Sequence, residues 1–208
     1  MWEDFIFHHP ATPYTISTFG RIPMTQNSAS ENNKKTSDHV KWICITALFM
    51  ALNIIMSSFG IPVPGGHLYL CDLIICTAAI LLDPLAAFIV GGVGSFLGDL
   101  LFYPAPMFVS LVTHGLQALV ISLIVHNKII KGEKEHFAAS VVATLIGAVI
   151  MVVGYTLGKT YVYSTFEYAM IKLPYEIAQA LLGVIGSLLL CYKAGLLKIF
   201  KRFDFSDK

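Results

Sequence analysis

Six long apolar runs constrain this chain more than any other feature. They are Trp42–Phe59, Leu68–Leu82, Pro84–Phe102, Pro106–His126, Phe137–Leu157 and Pro174–Tyr192. A bilayer core of about 30 Å takes about 20 apolar residues per helix, so each run reads as a membrane-crossing helix, the second a short one. The breaks between runs are turn-like: GIPVPGGH at 60–67, Asp83-Pro84 and YPAP at 103–106, with a polar loop NKIIKGEKEH at 127–136. Pro84, Pro106 and Pro174 fall at expected helix starts, where a missing N–H costs little. The runs do not alternate polar and apolar residues, so a β-barrel is excluded. The expected fold class is an all-α integral membrane protein, a six-helix bundle over 41–195. A mobile tail is expected over 1–40 and a cytoplasmic tail over 196–208.

Composition supports the same class. Hydrophobic residues make up 56% of the chain and charged residues 13%, against about 25% charge in an ordinary soluble domain. That excludes a typical soluble enzyme and a disordered protein. A net charge of +1 leaves no field to gather polyanions, so nucleic acid is not an expected partner. Basic residues set the orientation. With the N-terminus in the cytoplasm, 12 of the 14 Lys and Arg fall on the inner side and only Lys159 and Lys172 on the outer. Both termini are therefore expected to be cytoplasmic.

In this topology Asp72, Asp99 and Glu176 all fall in the outer half of the bilayer, with His67 and Lys172 beside them, Gln179 one turn below Glu176, and His114 in the fourth helix. Ionisable groups inside a membrane are costly unless paired or hydrated, and they tend to mark a site or pathway. Each alone would serve as an interface residue reaching for water, and Asp72 as a helix cap. Together, their delivery to one level by several helices points to a shared wet cavity. Glu176, Gln179, His114 and Tyr155 are the stronger candidates to touch a ligand. Asp72 and Asp99 also suit structural pairing. Tyr69, Tyr103, Tyr155, Tyr161, Tyr163, Phe166, Tyr168 and Tyr175 gather on the same side, as an aromatic belt or as platforms for a flat ligand. Residues 158–172 are expected to form a polar, aromatic loop able to act as a lid.

Other chemistry lacks its signature. Cys44, Cys71, Cys76 and Cys191 have no CxxC spacing and read as small buried hydrophobes. P-loop, HExxH and GxSxG motifs are missing, so no catalytic residue, metal or cofactor is expected and the chain is not read as an enzyme. Small residues are more informative. Ala47 and Ala51 form an AxxxA pair. Gly91, Gly92, Gly94, Ser95 and Gly98 crowd the third helix, and Gly154/Gly158 and Gly183/Gly186 follow. Such spacing lets helix backbones approach closely.

With those residues in view, the chain resembles the substrate-binding S components of energy-coupling factor vitamin transporters over about residues 40–195. The resemblance rests on ALFMA at 47–51, on GHLYLCDLIICTAAILLDPLAAFIVGGVGSFLGDLL at 66–101, and on LPYEIAQALLGVIG at 173–186. It implies a six-helix protein of a bacterial plasma membrane that captures a vitamin from outside. The implied partners are a membrane coupling subunit and two ATPase subunits, with Ala47 and Ala51 against the coupling helices. The resemblance places the ligand among the last three helices and makes the 60–67 loop part of the closure. It implies release inside when the protein topples in the membrane.

No arginine stands on the outer half to hold an anionic vitamin. A carboxylate such as Glu176 suits a neutral or cationic heterocycle with N–H donors. Within the family that favours hydroxymethylpyrimidine or a pyridoxine-like compound, with riboflavin as the alternative. A stand-alone proton-coupled carrier is the rival mechanism.

Overall fold

Asp83-Pro84 shows how this sequence writes its helix boundaries. The Asp83 side chain accepts from the backbone N–H of Leu85 and of Ala86, both at 3.1 Å, and Pro84 fills the first helical position. The other carboxylate oxygen of Asp83 accepts from the Trp42 indole, so the cap also ties two helices together. The computed structural model describes residues 25–64, 66–127, 129–130 and 132–202. Residues 37–208 form one unit and contain the bundle.

In chain order the elements are α1 (Thr25–Ser58), β1 (Gly60–Val63), β2 (Gly66–Tyr69), α2 (Cys71–Leu81), α3 (Pro84–Phe88), α4 (Gly94–Phe102), α5 (Met107–Val125), α6 (Glu133–Gly158), α7 (Phe166–Leu188) and α8 (Leu196–Arg202). π-helical turns at Ile89–Val93, Lys159–Tyr163 and Leu189–Lys193 join α3 to α4 and extend α6 and α7. Five segments are long and apolar enough to cross a membrane: Thr36–Ser58, Pro84–Phe102, Met107–Val125, Glu133–Tyr163 and Phe166–Lys193. The large side chains they leave exposed, such as Leu48, Phe108, Val149 and Ile185, are apolar, as lipid contact requires.

Four boundaries differ from the sequence reading. Leu68 and Tyr69 belong to an antiparallel hairpin that pairs Gly60 with Tyr69 and Pro62 with His67. The second helix therefore starts only at Cys71. Its 11 residues extend about 16 Å, too short to cross a bilayer alone. It runs instead from the hairpin to the Asp83 boundary, packed against α5 and α7 with nine of its residues buried. The expected lid at 158–172 is helical except for Ser164 and Thr165, because α6 continues through its π turn and the Thr165 hydroxyl accepts from Tyr168 N–H to start α7. Pro174 consequently lies inside α7 rather than at its start. A membrane bundle tolerates such a proline because neighbouring groups re-satisfy the freed backbone. Finally, α1 begins at Thr25 and α8 covers 196–202, inside the segments expected as tails. The remainder of those tails, 1–24 and 203–208, lies outside the described residues.

Glycines set how closely the helices approach. A Cβ on Gly91 would sit 2.6 Å from the His114 carbonyl oxygen on α5. On the other side of the same segment, a Cβ on Gly98 would sit 2.9 Å from Ser57 Cβ on α1. The α3–α4 segment is thus wedged between α1 and α5. Asn53 of α1 is fully buried there and donates to the Val90 carbonyl at 2.8 Å and to Ser95 Oγ at 3.1 Å.

Candidate functional site

A cavity of about 360 Å³ opens among the hairpin, α4, α5, α6 and α7. Ligand pockets for small molecules run to about 300–1,000 Å³, so one compact molecule fits. Tyr69, Phe102, Tyr103, Tyr155, Tyr163, Tyr168 and Tyr175 line it, together with Ser57, Ser95, His67, Asp99, His114, Lys159, Lys172, Glu176 and Gln179. Six of the seven residues expected at a ligand site are therefore brought together: Glu176, Gln179, His114, Tyr155, Asp99 and Tyr175. Asp72 does not line the cavity. Tyr161 and Phe166 turn outward, 80% and 57% exposed.

Glu176 and Lys159 form an ion pair, and each is only 5% exposed. The π turn after Gly158 carries Lys159 inward, where its Nζ also sits 4.9 Å from the centre of the Tyr155 ring. The second Glu176 oxygen, Oε2, is buried without a partner among the described residues. A buried unpartnered acceptor costs about 1–3 kcal/mol, so a donor supplied from the cavity would be held strongly. Lys172 donates to the His67 carbonyl at 2.8 Å and so ties α7 to the hairpin. Tyr69, on the hairpin, has its phenol raised above the ordinary range, by burial first and then by the Asp99 carboxylate.

Asp72 sits behind the cavity wall, 1% exposed. It accepts from Gln117 Nε2 at 3.0 Å and from Gln179 Nε2 at 2.6 Å. Gln179 Oε1 in turn accepts from the Tyr69 backbone N–H at 2.9 Å, and Gln117 Oε1 lies 2.7 Å from His114 Nδ1. One buried carboxylate thus joins β2, α2, α5 and α7. The ligating atoms of Cys71, Asp72 and His114 lie within 4.8 Å of one another. Both Asp72 oxygens are already committed to amide donors, so the cluster reads as a hydrogen-bond network.

A second relay starts from Asp99. Ser110 Oγ donates to Asp99, and Tyr155 Oη lies 2.5 Å from Ser110 Oγ. Sequence reasoning missed Ser57, Ser95 and Gln117. Gln117 was legible in principle: it follows His114 by three positions, which places both on one helix face.

Five apolar helices around a polar, aromatic-lined cavity define a multi-pass membrane protein with a small-molecule site. The model of the family described as "ECF-type riboflavin transporter, S component" matches residues 37–196. The chain belongs to this family of energy-coupling factor S components, the substrate-binding subunits of transporters. It is also similar to a protein of Pyrococcus woesei described as "Uncharacterized protein in gap 3'region". The two are 31% identical over 127 residues, which are 60% of this chain and 81% of that protein.

Proposed function

We propose that the protein is the capture subunit of an importer for riboflavin, taken into the cavity from outside the cell. The unpartnered Glu176 Oε2 at the cavity wall carries this reading. An imide edge offers one N–H between two carbonyls. Glu176 would accept that N–H while neighbouring Lys159 donates to a carbonyl. The tyrosines offer faces for a flat ring system. Opposite charges line the wall in equal number, Lys159 and Lys172 against Asp99 and Glu176, which suits a neutral ligand better than an anion. The family match supports the same vitamin.

Hydroxymethylpyrimidine or a pyridoxine-like compound is the second reading, because an amine beside a ring nitrogen also meets Glu176 and Lys159. It gains less from this structure than from the sequence, since the carboxylate is ion-paired and the cavity is lined by many aromatic rings.

In this reading the bundle lies with six helices in the plasma membrane of a bacterial cell, both termini in the cytoplasm. A membrane coupling subunit and two ATPases drive release. Ala47 and Ala51 are exposed on α1, opposite buried Phe49 and Asn53, and are assigned to the coupling subunit.

The test is titration of the purified protein with riboflavin, whose own fluorescence is expected to fall on binding. Pyridoxine and hydroxymethylpyrimidine serve as competitors. Saturable quenching that neither competitor reverses supports riboflavin. No quenching, with tight binding of a competitor, replaces riboflavin by the second reading. Uptake by the protein reconstituted alone under a proton gradient would overturn the coupled mechanism.

A further inference from the structure

The Asp72 network has a direction, and that direction reaches the cavity. A backbone N–H only donates, so Tyr69 fixes Gln179 with Oε1 toward the hairpin and Nε2 toward Asp72. Asp72 accepts at its other oxygen from Gln117 Nε2. With its nitrogen committed, Gln117 has only Oε1 to offer His114 Nδ1, and an amide oxygen only accepts. His114 Nδ1 therefore carries a hydrogen. Its Nε2 makes no hydrogen bond among the described residues, and His114 lines the cavity. Free histidine favours the opposite tautomer, so the network imposes this one.

Tyr155 stands beside His114, ring centres 5.2 Å apart, and its polarity is set in the same way. Ser110 has one hydroxyl hydrogen and donates it to Asp99. The bond between Tyr155 and Ser110 then needs the phenol as donor, which leaves only lone pairs on Tyr155 Oη.

We propose that Asp72, acting through Gln117, is a positioning residue that holds His114 in the Nδ1–H tautomer, so that His114 Nε2 and Tyr155 Oη form a wall of acceptors selecting ligand hydroxyl or N–H groups over anionic ones. For its ligand the proposal rests on the riboflavin reading. For its tautomer it stands alone. The hydroxyls of the ribityl chain supply donors. A phosphate ester on that chain would bring negative charge toward two lone pairs and Asp99.

The tautomer is read by nitrogen-15 NMR of the full-length protein labelled at histidine, with the His114 signals identified by their loss in His114→Gln. The expected spectrum shows a protonated Nδ1 and a lone pair on Nε2. Asp72→Asn keeps the shape but reverses the relay. Gln179 stays anchored by Tyr69, so the new side chain turns its oxygen to Gln179 and its nitrogen to Gln117. Gln117 flips, donates to His114 Nδ1, and the hydrogen moves to Nε2. Asp72→Leu combined with Gln117→Leu removes both oxygens near His114 Nδ1, the Gln117 amide oxygen and Asp72 Oδ1 at 3.8 Å, and is expected to give the same shift. It serves also if Asp72→Asn does not fold.

A parent spectrum with hydrogen on Nε2, alone or on both nitrogens, overturns the proposal. So does an Nδ1–H form that persists in both variants. In binding, the preference for riboflavin over its 5′-phosphate is expected to narrow about tenfold in either variant, the worth of one hydrogen bond reversed. An unchanged preference refutes the selective role. If the parent does not bind riboflavin, the riboflavin reading falls while the spectra still decide the tautomer.

Discussion

Breaking the Glu176–Lys159 pair separates what holds the bundle together from what holds the ligand. Both partners are 5% exposed, so neither charge is well hydrated once the other is gone. Removing one partner of a buried pair costs about 3–5 kcal/mol, because the survivor stays charged in a poor solvent, whereas replacing both with apolar groups of similar volume is often neutral or stabilising. Glu176→Leu is therefore expected to lower stability by about 3–5 kcal/mol, and adding Lys159→Met to restore most of it. For a chain this long each kcal/mol moves the unfolding midpoint by about 2–4 °C, so the single variant should melt about 6–20 °C lower. Binding should follow a different pattern. Both variants lack the Oε2 acceptor, so both should bind riboflavin about 5- to 150-fold more weakly, which corresponds to about 1–3 kcal/mol. Thermal unfolding by circular dichroism in detergent gives the first quantity and fluorescence titration the second. A Glu176→Leu protein that melts within about 2 °C of the parent would mean that the cavity hydrates Lys159 freely, and the buried-pair argument fails. A double variant with parental affinity would remove Glu176 from the ligand site.

Three further outcomes test the packing and the partner surface. Gly91→Ala would press a methyl against the His114 carbonyl oxygen at 2.6 Å and is expected to cost about 1–3 kcal/mol, measured by thermal melting. Asn53→Leu strips the Val90 carbonyl and Ser95 of a buried donor and should cost about 1–3 kcal/mol in the same measurement, with no loss if water replaces the amide. Leucine at both Ala47 and Ala51 should abolish uptake by the assembled transporter yet leave ligand titration unchanged. Loss of binding as well would mean these alanines pack inside the bundle.

Much of this arrangement could be read from residues one at a time. Apolar run length gave the membrane class, and the Asp83-Pro84 boundary follows from side-chain capping alone. The convergence of Asp99, His114, Glu176 and Gln179 was visible because charge inside an apolar run has few uses. Three features were hidden for definite reasons. The hairpin at 60–69 was masked because its second strand, HLY, continues directly into the apolar residues of α2, and hydropathy does not distinguish a strand from a first helical turn. Pro174 misplaced the start of α7, because a proline inside a membrane helix obeys the bundle rather than the local rule. Partner choice was the third. Lys159 was legible as an outer cation, but only the π turn brings it onto Glu176, and nothing in local sequence marks that turn.

Those π turns do more than lengthen helices. Each inserts extra backbone into a regular spiral, and one residue of α-helix corresponds to about 100° of rotation. The turn at Ile89–Val93 therefore resets the angular phase of everything after it, which is how one segment presents Gly91 to α5 and Gly98 to α1 while still delivering Asp99 to the cavity. Deleting a single residue there would leave composition and hydropathy almost untouched, yet swing that carboxylate roughly a quarter-turn out of register.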